Sequence, residues 1–315
     1  MLLKEPSIII IHPDRRTQRV VQRVLGSGGY RIDVADDASQ GERMVGYMTP
    51  VLVVIDGEQV LSGRADALFA AATARGTEAC IALLGDRAYQ HVPRILGLGA
   101  VTNLLVHPMP LLAEELMITA HKLIRRDLFG LEKYLLWGTA PERAVLTRAS
   151  HRAALVERVA EAVRSTGQTA RVATMAMLIT DELLSNAVHN APVDAEGMHY
   201  RRDLPRDLEI ELDERHHVEL RWACDARYLA IEVTDRFGSL DRDTILRSLS
   251  KSDVRETGGG AGMGISLTYR SCDHLVFNLA PGKRTEIIAL VSVRHPPFER
   301  VPASSYNIFV ERESQ

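Results

Sequence analysis

Cysteine is scarce in this chain. Its 315 residues hold only Cys80, Cys224 and Cys272, with no close spacing among them. That excludes a disulfide framework or a cysteine-based zinc module as the basis of the fold. Cys80 and Cys224 stand in apolar runs and read as small core residues. Long apolar runs are lacking too. No stretch reaches the roughly 20 residues that a membrane-spanning helix needs, and Ser7 to Ile11 is too short for the core of a signal peptide. A cytoplasmic protein is therefore the expectation. The net charge is only -3, which gives no bulk drive toward nucleic acid or an anionic membrane, and neither is expected as a partner. Short basic runs such as Arg15-Arg16 and Arg125-Arg126 read as solvated faces. Internal repeats and low-complexity segments are absent. What remains is ordinary globular material, 46% hydrophobic and 25% charged, long enough for two domains of about 150 residues each.

The first half alternates strands and helices. Ile8-Ile9-Ile10-Ile11 and Val51-Leu52-Val53-Val54-Ile55 are continuous apolar runs suited to strands buried on both faces of a parallel sheet. Tyr30 to Ala35, Ile81 to Leu84 and Val101 to Val106 read as three more strands. Thr17 to Leu25, closed by Gly26 to Gly29, and Ala65 to Ala74 have helical spacing. The pattern predicts a doubly wound parallel sheet, with its functional end beyond the carboxyl ends of the strands. There lie His12-Pro13-Asp14, Asp56, Gly85-Asp86 and His107-Pro108.

This layout resembles the receiver domain of response regulators. Asp56, at the end of Pro50 to Asp56, stands where the phosphoacceptor aspartate would be, and Gly99 to Pro108 looks like the segment that normally ends Lys-Pro. The chemistry departs from the family. His12 and Pro13 replace the acidic pair that holds Mg²⁺, Gly85 takes the hydroxyl position and His107 takes that of the lysine. A phosphoryl group on Asp56 would lack the metal and fixed cation that offset its charge. Residues 1–110 are therefore read as a degenerate receiver-like domain used for partner binding or dimerisation, with the Asp56 position retained and its activity doubted.

Residues 111–132 read as a helical connector. Leu111-Leu112, Leu116, Ile118-Thr119, Leu123-Ile124 and Leu128 recur at helical spacing, and a paired helix in a homodimer is one use for that face. His121 lacks the acidic residue and proline that follow a phosphoaccepting histidine in histidine kinases, so a plain surface histidine is the better reading. Glu132 to Gly138 looks strand-like.

In the second half, Ser150 to Ser165 is helical with Ser150 as its N-cap. The helix Val172 to Asn190 follows, with Glu182, Asn186 and Asn190 spaced four apart and so stacked on one face. Such a stripe on a core helix is costly unless something uses it, and amide and carboxylate oxygens suit Mg²⁺. Pro192, Gly197 and Pro205 mark an irregular insertion. Val218 to Trp222 and Leu229 to Thr234 form a hairpin signal. Asp241 to Ser250 and Ile265 to Arg270 are helical, and Leu275 to Leu279 and Glu286 to Val293 are strands. The sum is an α+β layer with a mostly antiparallel sheet. Val233-Thr234-Asp235-Arg236-Phe237-Gly238 places at a strand end a carboxylate that could accept from an exocyclic base amine, and a glycine that permits close backbone approach. Gly258 to Gly264 opens a helix, where N–H groups and the positive dipole end favour phosphate. It has neither the lysine of a P-loop nor the strand that precedes a dinucleotide fingerprint. Residues 294–315 are left unassigned, apart from a strand-like run at Tyr306 to Val310.

Taken together and in this order, these motifs resemble the Bergerat ATP-binding fold of histidine kinases, gyrase and anti-sigma-factor serine kinases, over residues 133–293. The resemblance implies an ATP-binding α/β sandwich with ATP and Mg²⁺ as ligands. Asn186 would ligate Mg²⁺ with Asn190 assisting, Glu182 would be the general base, and Asp235 and Gly238 would form the adenine box. Gly260, Gly262 and Gly264 would form the glycine box, Thr285 would help hold adenine, and Ser239 to Gly259 would be the lid. The absence of a convincing phosphoacceptor-histidine hairpin, and Glu182 four residues before Asn186, look closer to the anti-sigma-factor type. The leading expectation is an ATP-dependent kinase acting on a serine or threonine of a regulatory partner, of anti-sigma or anti-anti-sigma type. A histidine kinase acting in trans or on His121, and an idle ATP-sensing protein that binds a partner, are the alternatives.

Overall fold

The computed structural model of the chain describes residues 6–85, 90–107, 113–206, 208–250, 263–293 and 304–311. Two units divide it: Met1–Leu128 with Val301–Asn307, and Phe129–Arg300 with Ile308–Gln315.

In the first unit the elements run β1 (Ser7–Ile11), α1 (Arg15–Gly26), β2 (Arg31–Ala35), α2 (Ala38–Val45), β3 (Leu52–Asp56), α3 (Gly57–Leu61), α4 (Asp66–Ala74), β4 (Cys80–Gly85), α5 (Val92–Leu98), β5 (Asn103–His107) and α6 (Ala113–Arg125). The strands pair in parallel in the order β2-β1-β3-β4-β5, the doubly wound order of the flavodoxin-like class to which receivers belong. The isoleucine run of β1 and the whole of β3 are buried, as the sequence pattern requires. α2 and α5 escape the periodicity reading. The signal for α2 was local: the Asp37 carboxylate accepts from the Gln40 N–H at 2.8 Å, while Gln40 Oε1 accepts from the Asp36 N–H at 2.9 Å, a variant of the reciprocal capping box. In α6, Leu116 and Ala120 are buried, and Met117, Leu123 and Ile124 pack against the same core. These residues of its apolar face pack within its own unit, and Leu111 and Leu112 lie outside the described residues. The strand-like run near the C-terminus is a strand, Ser305–Val310. Its Tyr306 and Asn307 pair antiparallel with Leu104 and Asn103, and Asn307 Nδ2 donates to Asn103 Oδ1 at 3.1 Å.

In the second unit, a short 3₁₀ turn (Leu131–Tyr134) leads to β6 (Glu142–Leu146), α7 (Arg152–Ser165), α8 (Ala170–His189), β7 (Val218–Cys224), β8 (Tyr228–Asp235), α9 (Arg242–Ser250), α10 (Met263–Ser271), β9 (His274–Ala280) and β10 (Arg284–Ser292). The strands pair antiparallel in the order β9-β10-β8-β7-β6. α8 packs on β7, β8 and β10, and both α7 and α10 pack against α8. Two local expectations fail. The strand expected over Glu132 to Gly138 begins as a 3₁₀ turn, because Gly130, at φ +112°, redirects the chain and its N–H donates to Glu286 at 3.0 Å. Ser150 is not an N-cap. A 3₁₀ turn precedes α7, and the Ser150 hydroxyl bonds Glu209 at 3.0 Å instead.

Alternate positions of β8 and β10 carry two buried acids. Glu232 is 2% exposed and Glu286 4%. Arg221 lies 3.3 Å from Glu232, and Asn278 Nδ2 donates to Glu286 at 2.7 Å. Burial, followed by the charge of Glu286, pushes Glu232 up to about 8 despite Arg221. An acid raised in the folded state holds a proton that the unfolded chain releases. Its contribution to stability is therefore complete below the ordinary glutamate range and is lost as pH rises through about 8. Thermal melts should show wild-type stability falling over this window, by at most roughly 1.4 kcal/mol per pH unit from this group. Glu232→Gln should flatten that slope, and an unchanged slope would contradict the assignment.

Candidate functional site

α8 is built to present its polar stripe. Thr169 caps its start, accepting from the Val172 N–H at 3.4 Å, and Ile179, Leu183, Leu184, Ala187 and Val188 are buried. Glu182, Asn186 and Asn190 are each half-buried. Asn190 Nδ2 donates to Asn186 Oδ1 at 2.7 Å. Asn186 Nδ2 and Asn190 Oδ1 are buried and find no partner among the described residues. Buried amides left half-satisfied in this way are unusual in a folded core.

The antiparallel register of β8 and β10 sets Thr285 opposite Asp235. Asp235 is 7% exposed and Thr285 1%. Asp235 Oδ1 accepts from the N–H groups of Phe237 at 2.8 Å and Gly238 at 3.2 Å. Burial raises its pKa to about 6, and these two bonds work against the rise. The Thr285 hydroxyl lies beside the carboxylate and also helps hold its pKa down, but it is buried without a hydrogen bond of acceptable geometry.

Asn186, Asn190, Asp235 and Thr285 all line one cleft of about 270 Å³. Its apolar walls are Leu183, Ala187, Val233, Ile265 and Ile287. Small-molecule sites have this make-up, apolar with a few convergent polar groups. Four residues that the sequence brought together by motif are therefore brought together in space.

The remaining site residues are placed differently. Gly238 is not among the residues lining the cleft. At φ +60°, a Cβ there would meet Ala280 O at 2.3 Å and Lys283 N at 2.7 Å, so the packing of the β9–β10 turn requires glycine at this position. Gly264 lies against the stripe, where a Cβ would stand 2.4 Å from Glu182 Oε2 and 2.9 Å from Asn186 Nδ2. Glu182 itself is not among the residues lining the cleft. Its pKa is raised, by burial first and then by Asp181, while Arg206 and Arg152 oppose the rise. Gly260, Gly262 and the lid beyond Ser250 lie outside the described residues. Ser239, Leu240, Asp241 and Thr244, from the proposed lid's first turn, do line the cleft. Sequence reasoning missed His199 and Arg202, which the insertion adds to the lining. The only signal for them was the arginine pair in the run His199-Tyr200-Arg201-Arg202.

At the sheet end of the first unit, Asp14 is turned to its own helix, accepting from the Thr17 N–H at 2.8 Å and hydroxyl at 2.7 Å. Asp56 caps α3 through the Glu58 N–H at 3.2 Å, and burial raises its pKa. Among the described residues no group of three or more His, Cys, Asp or Glu is disposed to hold a metal ion. The side chain of His107 lies outside the described residues, as do Asp86 and Pro108. His121 is exposed and meets the Tyr30 ring edge-on at 5.9 Å. Incubation with acetyl phosphate and Mg²⁺ is expected to leave Asp56 unmodified by mass spectrometry; a stable phosphoryl adduct there would contradict the degenerate reading. No helix among the described residues is long and apolar enough to cross a membrane.

No family model matches the chain, and no curated protein does. The solved structures similar to it include a response regulator receiver domain protein from Clostridium thermocellum, 16% identical, covering 39% of this chain and 96% of that one, with a TM-score of 0.31. A signal receiver domain of an HD domain-containing protein from Pseudomonas fluorescens Pf-5 is 17% identical, covering 39% and 97%, with a TM-score of 0.32. Full-length FixJ from B. japonicum is 16% identical, covering 59% and 76%, with a TM-score of 0.31. The receiver-like character of the first unit rests on its own strand order.

Proposed function

We propose that the second unit binds ATP with Mg²⁺ in the manner of the Bergerat fold, and that the chain is a signalling kinase acting on a serine or threonine of a regulatory partner protein. The observation that carries this reading is the convergence on one cleft of a buried aspartate, a buried hydroxyl beside it, and two amides half-satisfied among the described residues. Asp235 would accept from the exocyclic amine of adenine, with Thr285 donating beside it. The fit to a metal is sound. Asn186 Oδ1 accepts one bond from Asn190 and keeps a second lone pair, and Asn190 Oδ1 has no donor among the described residues. Asn186 would hold Mg²⁺ with Asn190 assisting; bound there, the ion would offset triphosphate charge. Glu182 would take the proton from the partner's hydroxyl. The degenerate receiver-like unit would bind the partner or a second copy of the chain, in the cytoplasm.

A second reading, an idle ATP-sensing protein that binds its partner without transfer, is favoured by the place of Glu182. It lies against Gly264, near Arg152 and Arg206, and off the cleft wall. The two readings separate on Glu182→Gln. A kinase should keep ATP affinity and lose roughly 10²–10⁴-fold in transfer of labelled γ-phosphate from ATP to a protein hydroxyl. A wild-type protein that binds ATP without turnover, or turnover indifferent to Glu182→Gln, would remove Glu182 as general base.

A further inference from the structure

The insertion between α8 and β7 is not surface decoration. Asp194 Oδ1 gathers the N–H groups of Glu196 at 3.1 Å and Met198 at 2.7 Å into a tight turn. The Ser239 hydroxyl donates to Ala191 O at 2.7 Å, pinning the start of the insertion. Arg206 donates to Ser185 O at 3.3 Å and Oγ at 3.0 Å, pinning a later stretch to α8. The segment between these anchors carries three arginines. Arg206 is engaged as above, and Arg201 lies over the Tyr200 ring at 5.7 Å. Arg202 makes no hydrogen bond or ion pair among the described residues, is exposed, and lines the cleft.

The other charged groups lining the cleft each make a hydrogen bond among the described residues. Asp241 caps α9, accepting from the Thr244 N–H at 2.8 Å and hydroxyl at 2.6 Å. Arg247 donates to Thr244 Oγ1 at 3.0 Å. Asp235 is held by Phe237 and Gly238. Of the two guanidinium groups lining this cleft, Arg247 spends one donor on its own helix, whereas Arg202 makes no hydrogen bond or ion pair among the described residues. A guanidinium fork matches phosphate oxygens two at a time.

We propose that Arg202, carried by the anchored insertion, is the cation that engages the polyphosphate of the nucleotide in this cleft. The inference rests on the ATP reading and assigns a binding residue within it. It makes the insertion part of the site: the amides and Asp235 come from the end of α8 and from β8, whereas the phosphate contact comes from Arg202 of the insertion. The class of ligand is a nucleoside di- or triphosphate, and the plain nucleoside lacks the groups that Arg202 would hold.

Calorimetric titration of the full chain with ATP, ADP and adenosine, each with Mg²⁺, tests this in the wild type, Arg202→Ala and Arg202→Lys. Arg202→Ala is expected to weaken ATP and ADP by roughly 10–100-fold, the range of a charged hydrogen bond, with adenosine unchanged and Arg202→Lys intermediate. Wild-type binding of ATP that Arg202→Ala leaves intact would overturn the inference alone. Equal losses for ATP and adenosine would also overturn it, by assigning Arg202 to the fold. Failure of the wild type to bind any of the three would overturn the ATP reading with it.

Discussion

Asp235→Asn should lose roughly 10–100-fold in ATP affinity while melting no lower than the wild type. The substitution preserves shape, and the asparagine oxygen can still accept from the Phe237 and Gly238 N–H groups that Asp235 Oδ1 serves. It replaces the second acceptor with an NH₂, which would meet the adenine amine donor to donor. A hydrogen bond to a charged group contributes about 1.5–3 kcal/mol, which sets the expected range. Stability moves the other way. Burial raises the Asp235 pKa to about 6, so the ionised carboxylate is a burden on the folded state at neutral pH. The neutral amide removes that burden. A variant with lost binding and an equal or higher melting temperature separates ligand recognition from folding. A joint loss of both would assign Asp235 to the fold.

The largest loss of stability is expected at Gly238. Alanine there would adopt φ +60° and place its Cβ 2.3 Å from Ala280 O, 2.7 Å from Lys283 N and 2.8 Å from Arg284 N. These are backbone atoms of a tight turn that cannot swing aside. The left-handed conformation adds about 1–2 kcal/mol, and overpacking typically another 1–3 kcal/mol. Gly238→Ala should therefore cost about 2–5 kcal/mol by denaturant unfolding, a large part of the about 5–15 kcal/mol that holds a domain together. Gly282 is the internal control. Its φ is +69°, but a Cβ there would meet nothing within 4 Å, so Gly282→Ala should lose only about 1–2 kcal/mol. Equal losses at the two positions would show that the clash at Gly238 is relieved.

Much of this was legible in the sequence because local pattern and tertiary role agree. The isoleucine run of β1 has one use in a parallel sheet, and the four-residue spacing of Glu182, Asn186 and Asn190 survives intact on α8. Other features depend on contacts that no local pattern records. The pairing of Thr285 with Asp235 needs the β8–β10 register. The contact of Gly264 with Glu182 needs α10 to cross α8. The insertion has no periodicity, so its anchoring by Ser239 and Arg206 could not be read from it. The Tyr306 run was visible as a strand, but not its partner strand β5, some two hundred residues away. The α2 cap at Asp37 and Gln40 is a local signal that does not depend on apolar spacing.

One cleft, lined by Asn186, Asn190, Asp235 and Thr285, is proposed to take ATP. Its most direct test is calorimetric titration of the full chain with ATP and Mg²⁺, repeated on Asp235→Asn. Saturable binding of one nucleotide per chain, weakened at least about tenfold by Asp235→Asn, is the expected result. Absence of binding by the wild type, or equal binding by the two proteins, would contradict it.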